Sequence, residues 1–209
     1  YGISFFVTIT GTLLSVLFTT TLAYPMSRKD FKFSKILTFL VFFTMLFNGG
    51  VVPSYMMWSQ FFHLKNTIWA LILPNYLITA FNIMLVKNYY QNSIPDALIE
   101  AAEIDGASEL TIFWKIVLPN AKPVIATTAI NAFINPIVDY IFVSVIMKDN
   151  YNNFTVAKGL YTMVDKTNIY EYYTVFCAGA VIVAIPVVLL FIRMQKYYVA
   201  GVVGGSVKG

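Results

Sequence analysis

Five long apolar runs alternate with short polar segments along the chain, at residues of about 3–24, 36–57, 67–86, 124–147 and 174–192. Each is close to the ~20 residues that a helix needs to cross a bilayer. The pattern therefore predicts an all-α membrane protein with five spanning helices in a single domain over residues 1–209. Asn48-Gly49-Gly50 and Pro53 interrupt the second run, and Pro74 falls near the middle of the third. Glycine and proline loosen the helical ladder, so a bent or partly unwound helix is expected at the second run. Asn48-Gly49-Gly50 reads either as a flexible gate or as a plain bend. The first run is rich in threonine, whose hydroxyl can bond back to its own helix. No basic segment precedes this run and no small-residue cleavage site ends it, which argues against a signal peptide.

One polar island breaks the apolar pattern, at residues 93–119. From Glu100 to Pro119 it reads EAAEIDGASELTIFWKIVLP and holds four of the ten acidic residues. Ser93-Ile94-Pro95-Asp96 is a helix start, with proline in the first turn and an acid facing the helix dipole. Gly106 interrupts that helix, and Ser108 is placed to cap a second one. On the first helix Asp96, Glu100 and Glu103 recur at i, i+4 and i+7 as an acidic stripe. Ala97, Ala101 and Ile104 form an apolar strip beside it, widened by Leu98 and Ala102. Helices that lie on lipid are usually rich in Lys and Arg, because the cytosolic leaflet is negative. An acidic helix with small alanines fits a protein partner better than a lipid surface.

Composition agrees with the membrane reading. The chain is 58% hydrophobic and 11% charged, against about 25% charged in soluble domains, and its mean hydropathy is +0.71. The net charge of +4 is scattered, without the basic patch of a nucleic-acid binder. Cys177 and His63 are single residues of their types. That inventory excludes an internal disulfide and argues against a zinc site or a histidine triad. Numbering the loops alternately places ten Lys and Arg residues on one side, from Arg28, Lys29, Lys32 and Lys35 to Arg193, Lys196 and Lys208. Four fall on the other: Lys65, Lys148, Lys158 and Lys166. The richer side is cytosolic, and it carries the polar island and the C-terminus. The chain then starts outside. Because it begins at Tyr1 rather than Met, an upstream segment with one more span is expected.

Within the apolar runs, Asp139 is the deep ionisable residue, a functional candidate by default. Asn131 and Asn135 precede it on the same helix face, and Pro136 is placed to kink the helix. Asn75, Thr79 and Asn82 make a second, weaker stripe. These residues are either a polar lining for a hydroxyl-rich cargo or glue between helices. Tyr76 and Tyr140 either stack on a sugar ring or simply pack. Trp58 and His63 read as interfacial anchors. The segment 148–173, with Asp149, Lys158, Asp165, Lys166 and Glu171, is an outer docking surface or a solvated loop. A secondary transporter or channel, with Asp139 as a proton or ion site, is the competing reading. It leaves the acidic island unexplained.

The island also carries a resemblance. Glu100-Ala101-Ala102, three residues, Gly106, nine residues, Ile116, one residue and Leu118-Pro119 resemble the signature of membrane subunits of bacterial ABC importers of the binding-protein-dependent type. The context DALIEAAEIDGAS and FWKIVLP-x-x-K-P, with YPMSRKDF after the first run and the tail QKYYVAGVVGGSVKG, is similar to the carbohydrate branch, which includes the maltose permeases. The resemblance implies the type I importer permease fold, in the bacterial cytoplasmic membrane. The island would be a coupling helix seated in a cytosolic ATPase, with Glu100, Ala101, Ala102, Asp105, Gly106, Ile116, Leu118 and Pro119 as coupling residues. Asn75, Tyr76, Asn82, Asn131, Asn135 and Asp139 would line the substrate path. Two ATPase subunits, a second related permease, an extracytoplasmic substrate-binding protein and a carbohydrate are the implied partners. The resemblance implies a transport subunit rather than an enzyme, and the chain has no GxxxxGK[ST] loop of its own. ATP-Mg and its hydrolysis belong to the partner ATPase, and no cofactor is expected here.

Overall fold

The computed structural model describes residues 1–74, 76–148, 151–164 and 169–206, and these are helices joined by turns. In chain order the helices are α1 Gly2–Ser27, α2 Ser34–Leu46, α3 Val51–Met56, α4 Trp69–Ile72, α5 Ala80–Ser93 and α6 Asp96–Ile104. They continue with α7 Glu109–Ile112, α8 Leu118–Asn120, α9 Lys122–Val138, α10 Ile141–Ile146, α11 Val156–Met163 and α12 Ile169–Ser206. Two wider π-helical turns, Met57–Phe61 and Phe113–Val117, follow α3 and α7.

Among the described residues, two helices are long and apolar enough to cross a membrane. These are Gly2–Ser27 and, within α12, Tyr172–Gln195; they contain the first and fifth predicted runs. The other three runs are broken helices. The second bends by 115° between Ser34–Leu46 and Val51–Phe61. Gly50, at φ +84°, supplies the turn, in a region where a side chain would clash. Pro53 sits in the first turn of α3, where no intrahelical N–H is needed.

The third run, expected as one helix over residues 67–86, is not continuous. α4 ends at Ile72, the chain turns, and α5 restarts at Ala80 behind an extended Thr79. Pro74 accounts for the break, since it has no N–H to donate and its ring clashes with the preceding turn. The fourth run splits at Asp139 and Tyr140 into α9 and α10. Pro136 lies three residues before the break and leaves the Ala132 carbonyl without its helical donor.

The chain folds as two compact units. The first comprises Tyr1–Ser15, Gly49–Leu77 and Ile130–Arg193. Its core gathers Val7, Leu71, Ile72, Tyr76, Phe142, Val143, Ile146 and Met147. The Ser4 hydroxyl accepts from Val156 N at 2.7 Å and fixes the start of α11. The second unit comprises Val16–Asn48, Ile78–Ala129 and Met194–Gly209. Its core gathers Ala23 and Met26 of α1, Ile83, Val86 and Tyr90 of α5, and Ile99, Ile112, Phe113 and Val117 of the polar island.

Candidate functional site

The polar island folds into two short helices joined at Gly106. α6 begins one residue later than the sequence suggests: Pro95, in extended geometry, is its N-cap, and Asp96 opens the first turn. At the other end Ala107 N donates to Ala102 O and Gly106 N to Glu103 O, both at 3.0 Å. This pair of bonds is the Schellman closure, which requires a left-handed residue just past the helix. Gly106 has φ +79° and meets that need. Ser108 then caps α7, its hydroxyl accepting from Thr111 N. The second arm continues through the π turn, where Leu118 N donates to Phe113 O, one residue further back than in an α-helix. Pro119, with no N–H, follows directly, and the Asn120 amide donates to Ile116 O at 2.7 Å.

The two arms have an inner and an outer face. Ile99, Ile112, Phe113 and Val117 are buried in the core of the unit. Burying a side chain of this size contributes about 1.5–3 kcal/mol, so four anchors fix both arms to α1 and α5. On the outer face Ile104 is 86% exposed, Leu110 71% and Trp114 57%. Leu98 and Ala101 are exposed with them. Among the described residues, nothing in the chain covers this apolar ridge.

The acidic residues are held by the segment that follows the first span. Arg28 binds the Glu103 carboxylate on α6 and approaches Glu109 of α7 at 3.9 Å. Lys29 Nζ donates to Asp96 Oδ2 at 2.5 Å. The Tyr24 hydroxyl donates to Glu109 Oε2 at 2.6 Å. The hydrogen bond from Lys29 holds the Asp96 carboxyl below its usual range, and the same bond raises the Lys29 ammonium above its own. Two acids of the predicted stripe are thus paired inside the chain. Glu100 is exposed and forms no ion pair within 4 Å among the described residues.

The other expected coupling residues separate by exposure. Ala101, Asp105, Gly106 and Pro119 are exposed, whereas Ala102, Ile116 and Leu118 are half-buried and pack on the core. Sequence reasoning did not single out Tyr24, Arg28, Lys29 or Ile99. The signal for the cations was present, since four acids in an apolar chain need counter-charges and YPMSRKDF carries two adjacent ones.

The predicted path residues are divided between the two units. Asn131, Asn135, Asp139 and Tyr76 belong to the first unit, and Asn82, buried at 1% exposure, belongs to the second. Asn75 lies outside the described residues. Tyr76 donates its hydroxyl to Asp139 Oδ2 at 2.9 Å, and Asp139 Oδ1 accepts from Phe142 N at 3.2 Å, capping α10. Asn135 is exposed and Asn131 half-buried.

The family model described as the binding-protein-dependent transport system inner membrane component matches residues 4–203. The chain belongs to this family. Among its relatives is Protein LplC of Bacillus subtilis (strain 168), 35% identical over 100% of this chain and 73% of that protein. The polygalacturonan/rhamnogalacturonan transport system permease protein YtcP, from the same organism, is 36% identical over 99% of this chain and 76% of that one. Among solved structures, a bacterial ABC transporter involved in the import of the acidic polysaccharide alginate is similar at a TM-score of 0.81 and 28% identity. The match covers 95% of this chain and 74% of that one. The family places the protein in the membrane as a transport permease, and the two-armed element falls inside the matched region.

Proposed function

We propose that this chain is the permease subunit of an ATP-driven carbohydrate importer, and that the α6–α7 element is the lever on which a cytosolic ATPase acts. The observation that carries the reading is the uncovered ridge of Leu98, Ala101, Ile104, Leu110 and Trp114 on arms whose opposite face is anchored in the core. A partner that grips such a ridge moves α1 and α5 with it, because Ile99 and Ile112 share their core with Ala23, Met26 and Val86. Glu100, with no ion pair within 4 Å among the described residues, and Asp105 at the elbow add polar contacts at the rim of the ridge. Two ATPase copies, a second related permease and an extracytoplasmic binding protein complete the machine, with ATP-Mg on the ATPase and the C-terminus of this chain in the cytosol.

The cargo is a carbohydrate, and an oligosaccharide in particular. The names of the relatives support this class: polygalacturonan/rhamnogalacturonan for YtcP, galactooligosaccharides for GanQ of Bacillus subtilis and alginate for the structural neighbour. Asn131 and Asn135 present amides suited to sugar hydroxyls. Asp139, by contrast, is committed to Tyr76 and to the α10 cap, an arrangement less suited to an ion or proton site.

Reconstitution of the complete transporter in vesicles tests the reading. Uptake is expected to require ATP on the cytosolic side and to fall at least tenfold in Ile104→Glu and Leu110→Glu, with loss of ATPase co-purification. Uptake that persists without ATP and collapses with the proton gradient would overturn it.

A further inference from the structure

We propose that the groove between the cytosolic ends of α2 and α5 is a binding site for one anionic phospholipid. The groove has a volume of about 710 Å³. Its α2 wall carries Lys35, Thr38, Phe39 and Phe42, at i, i+3, i+4 and i+7, and its α5 wall carries Met84, Lys87 and Gln91. Arg28, Lys29 and Lys32 close its cytosolic end.

Five cations line this one groove and no carboxylate does. Arg28 and Lys29 are committed to Glu103 and Asp96, but Lys32, Lys35 and Lys87 have no carboxylate within 4 Å among the described residues. Like charges this close repel, and an anion seated among them removes the repulsion. The groove changes character along α2. Lys35 lies at the start of the helix, while Phe39, 63% exposed, and Phe42, 45% exposed, lie one and two turns further in. A cationic mouth above an aromatic floor matches a phosphodiester headgroup above an acyl chain, in the way basic pockets between cytosolic helix ends take acidic lipids. A soluble anion would satisfy the lysines and make no use of the aromatic floor. The proposal needs the membrane setting but not the carbohydrate reading.

The experiment is native mass spectrometry of the complete transporter, released from nanodiscs of phosphatidylcholine with graded phosphatidylglycerol. The wild type is expected to retain phosphatidylglycerol in preference to phosphatidylcholine. The combined variant Lys32→Gln, Lys35→Gln, Lys87→Gln is expected to bind it roughly 100-fold more weakly, at several-fold per removed cation. Lys122→Gln, a cytosolic lysine outside the groove, is expected to bind like the wild type. Equal retention by wild type and triple variant, equal retention of the two lipids, or an equal loss in Lys122→Gln overturns the site. If the triple variant does not assemble, amine labelling of the wild type decides. Lys32, Lys35 and Lys87 are expected to be protected in phosphatidylglycerol nanodiscs and labelled in phosphatidylcholine. Identical labelling in both lipids, or protection by inorganic phosphate alone, overturns it as well.

Discussion

Arg28 binds Glu103 on α6 and stands 3.9 Å from Glu109 on α7, so one side chain at the end of α1 reaches both arms of the α6–α7 element. The Arg28 side chain is only 14% exposed. Arg28→Gln is expected to loosen the angle between the arms. Glu103 remains 41% exposed, so solvent screening limits the loss of stability to about 1 kcal/mol. The larger effect is expected in coupling, as fewer cargo molecules moved per ATP hydrolysed in vesicles. The exchange Arg28→Glu with Glu103→Arg is expected to recover part of that ratio. A purely structural role would lower the thermal midpoint and leave the ratio unchanged.

The elbow depends on one backbone conformation. Gly106→Ala places a side chain at φ +79°, where an L residue costs roughly 1–2 kcal/mol. Open space surrounds the position, so the penalty is conformational and not steric crowding. Hydrogen exchange of the complex is expected to show faster exchange at Ala107 and Gly106 amides, with reduced ATPase co-purification. Unchanged exchange would show that the Schellman closure tolerates the substitution.

The Lys29–Asp96 pair gives a signed pH dependence. The Asp96 carboxyl is held below 3.8, so its contribution is complete above that value and lost as pH falls through the lower folded one. Lys29 is raised above 10.5, so its share is complete below that value and lost as pH rises through the folded one. Asp96→Asn is therefore expected to increase proteolytic nicking of α6 by a constant factor between roughly pH 5 and pH 10. The difference is expected to shrink outside that window and at high salt. A difference that grows toward acid pH would contradict the assignment.

Asp139 offers a test between a lining role and a tying role. Tyr76→Phe removes one hydrogen bond and is expected to cost about 1 kcal/mol. Asp139→Ala also removes the α10 cap, for about 1 kcal/mol more. Thermal unfolding of the complex measures both. If Asp139 serves structure, both variants lower the midpoint with the affinity for cargo unchanged.

The sequence made local features readable and distant ones opaque. The first span, the helix stop at Gly106 and the Ser108 cap are set within a few residues, by apolar length, by a left-handed turn and by a hydroxyl. The partners of the acidic stripe were not legible, because Arg28 and Glu103 are 75 residues apart and Lys29 and Asp96 are 67 apart. Lys and Arg in YPMSRKDF enter the sequence reading through the orientation of the chain and through the resemblance, although the same residues hold the acids of α6 and α7. Ile99 was missed because a stripe read from its polar side hides the anchor behind it. The third run shows the limit of hydropathy: residues 67–86 are predominantly apolar, yet Pro74 and the extended Thr79 divide them.

The Gly106 turn is closed by main-chain bonds, from Ala107 to Ala102 and from Gly106 to Glu103, while Arg28 braces the two arms. Its shape is therefore indifferent to which side chains decorate the outward surface. On the proposed reading, substitutions at Ile104 and Leu110 would change which motor recognises the subunit, while the bend that carries its stroke would stay constant. Such a split lets a lineage exchange engines without rebuilding the gearbox.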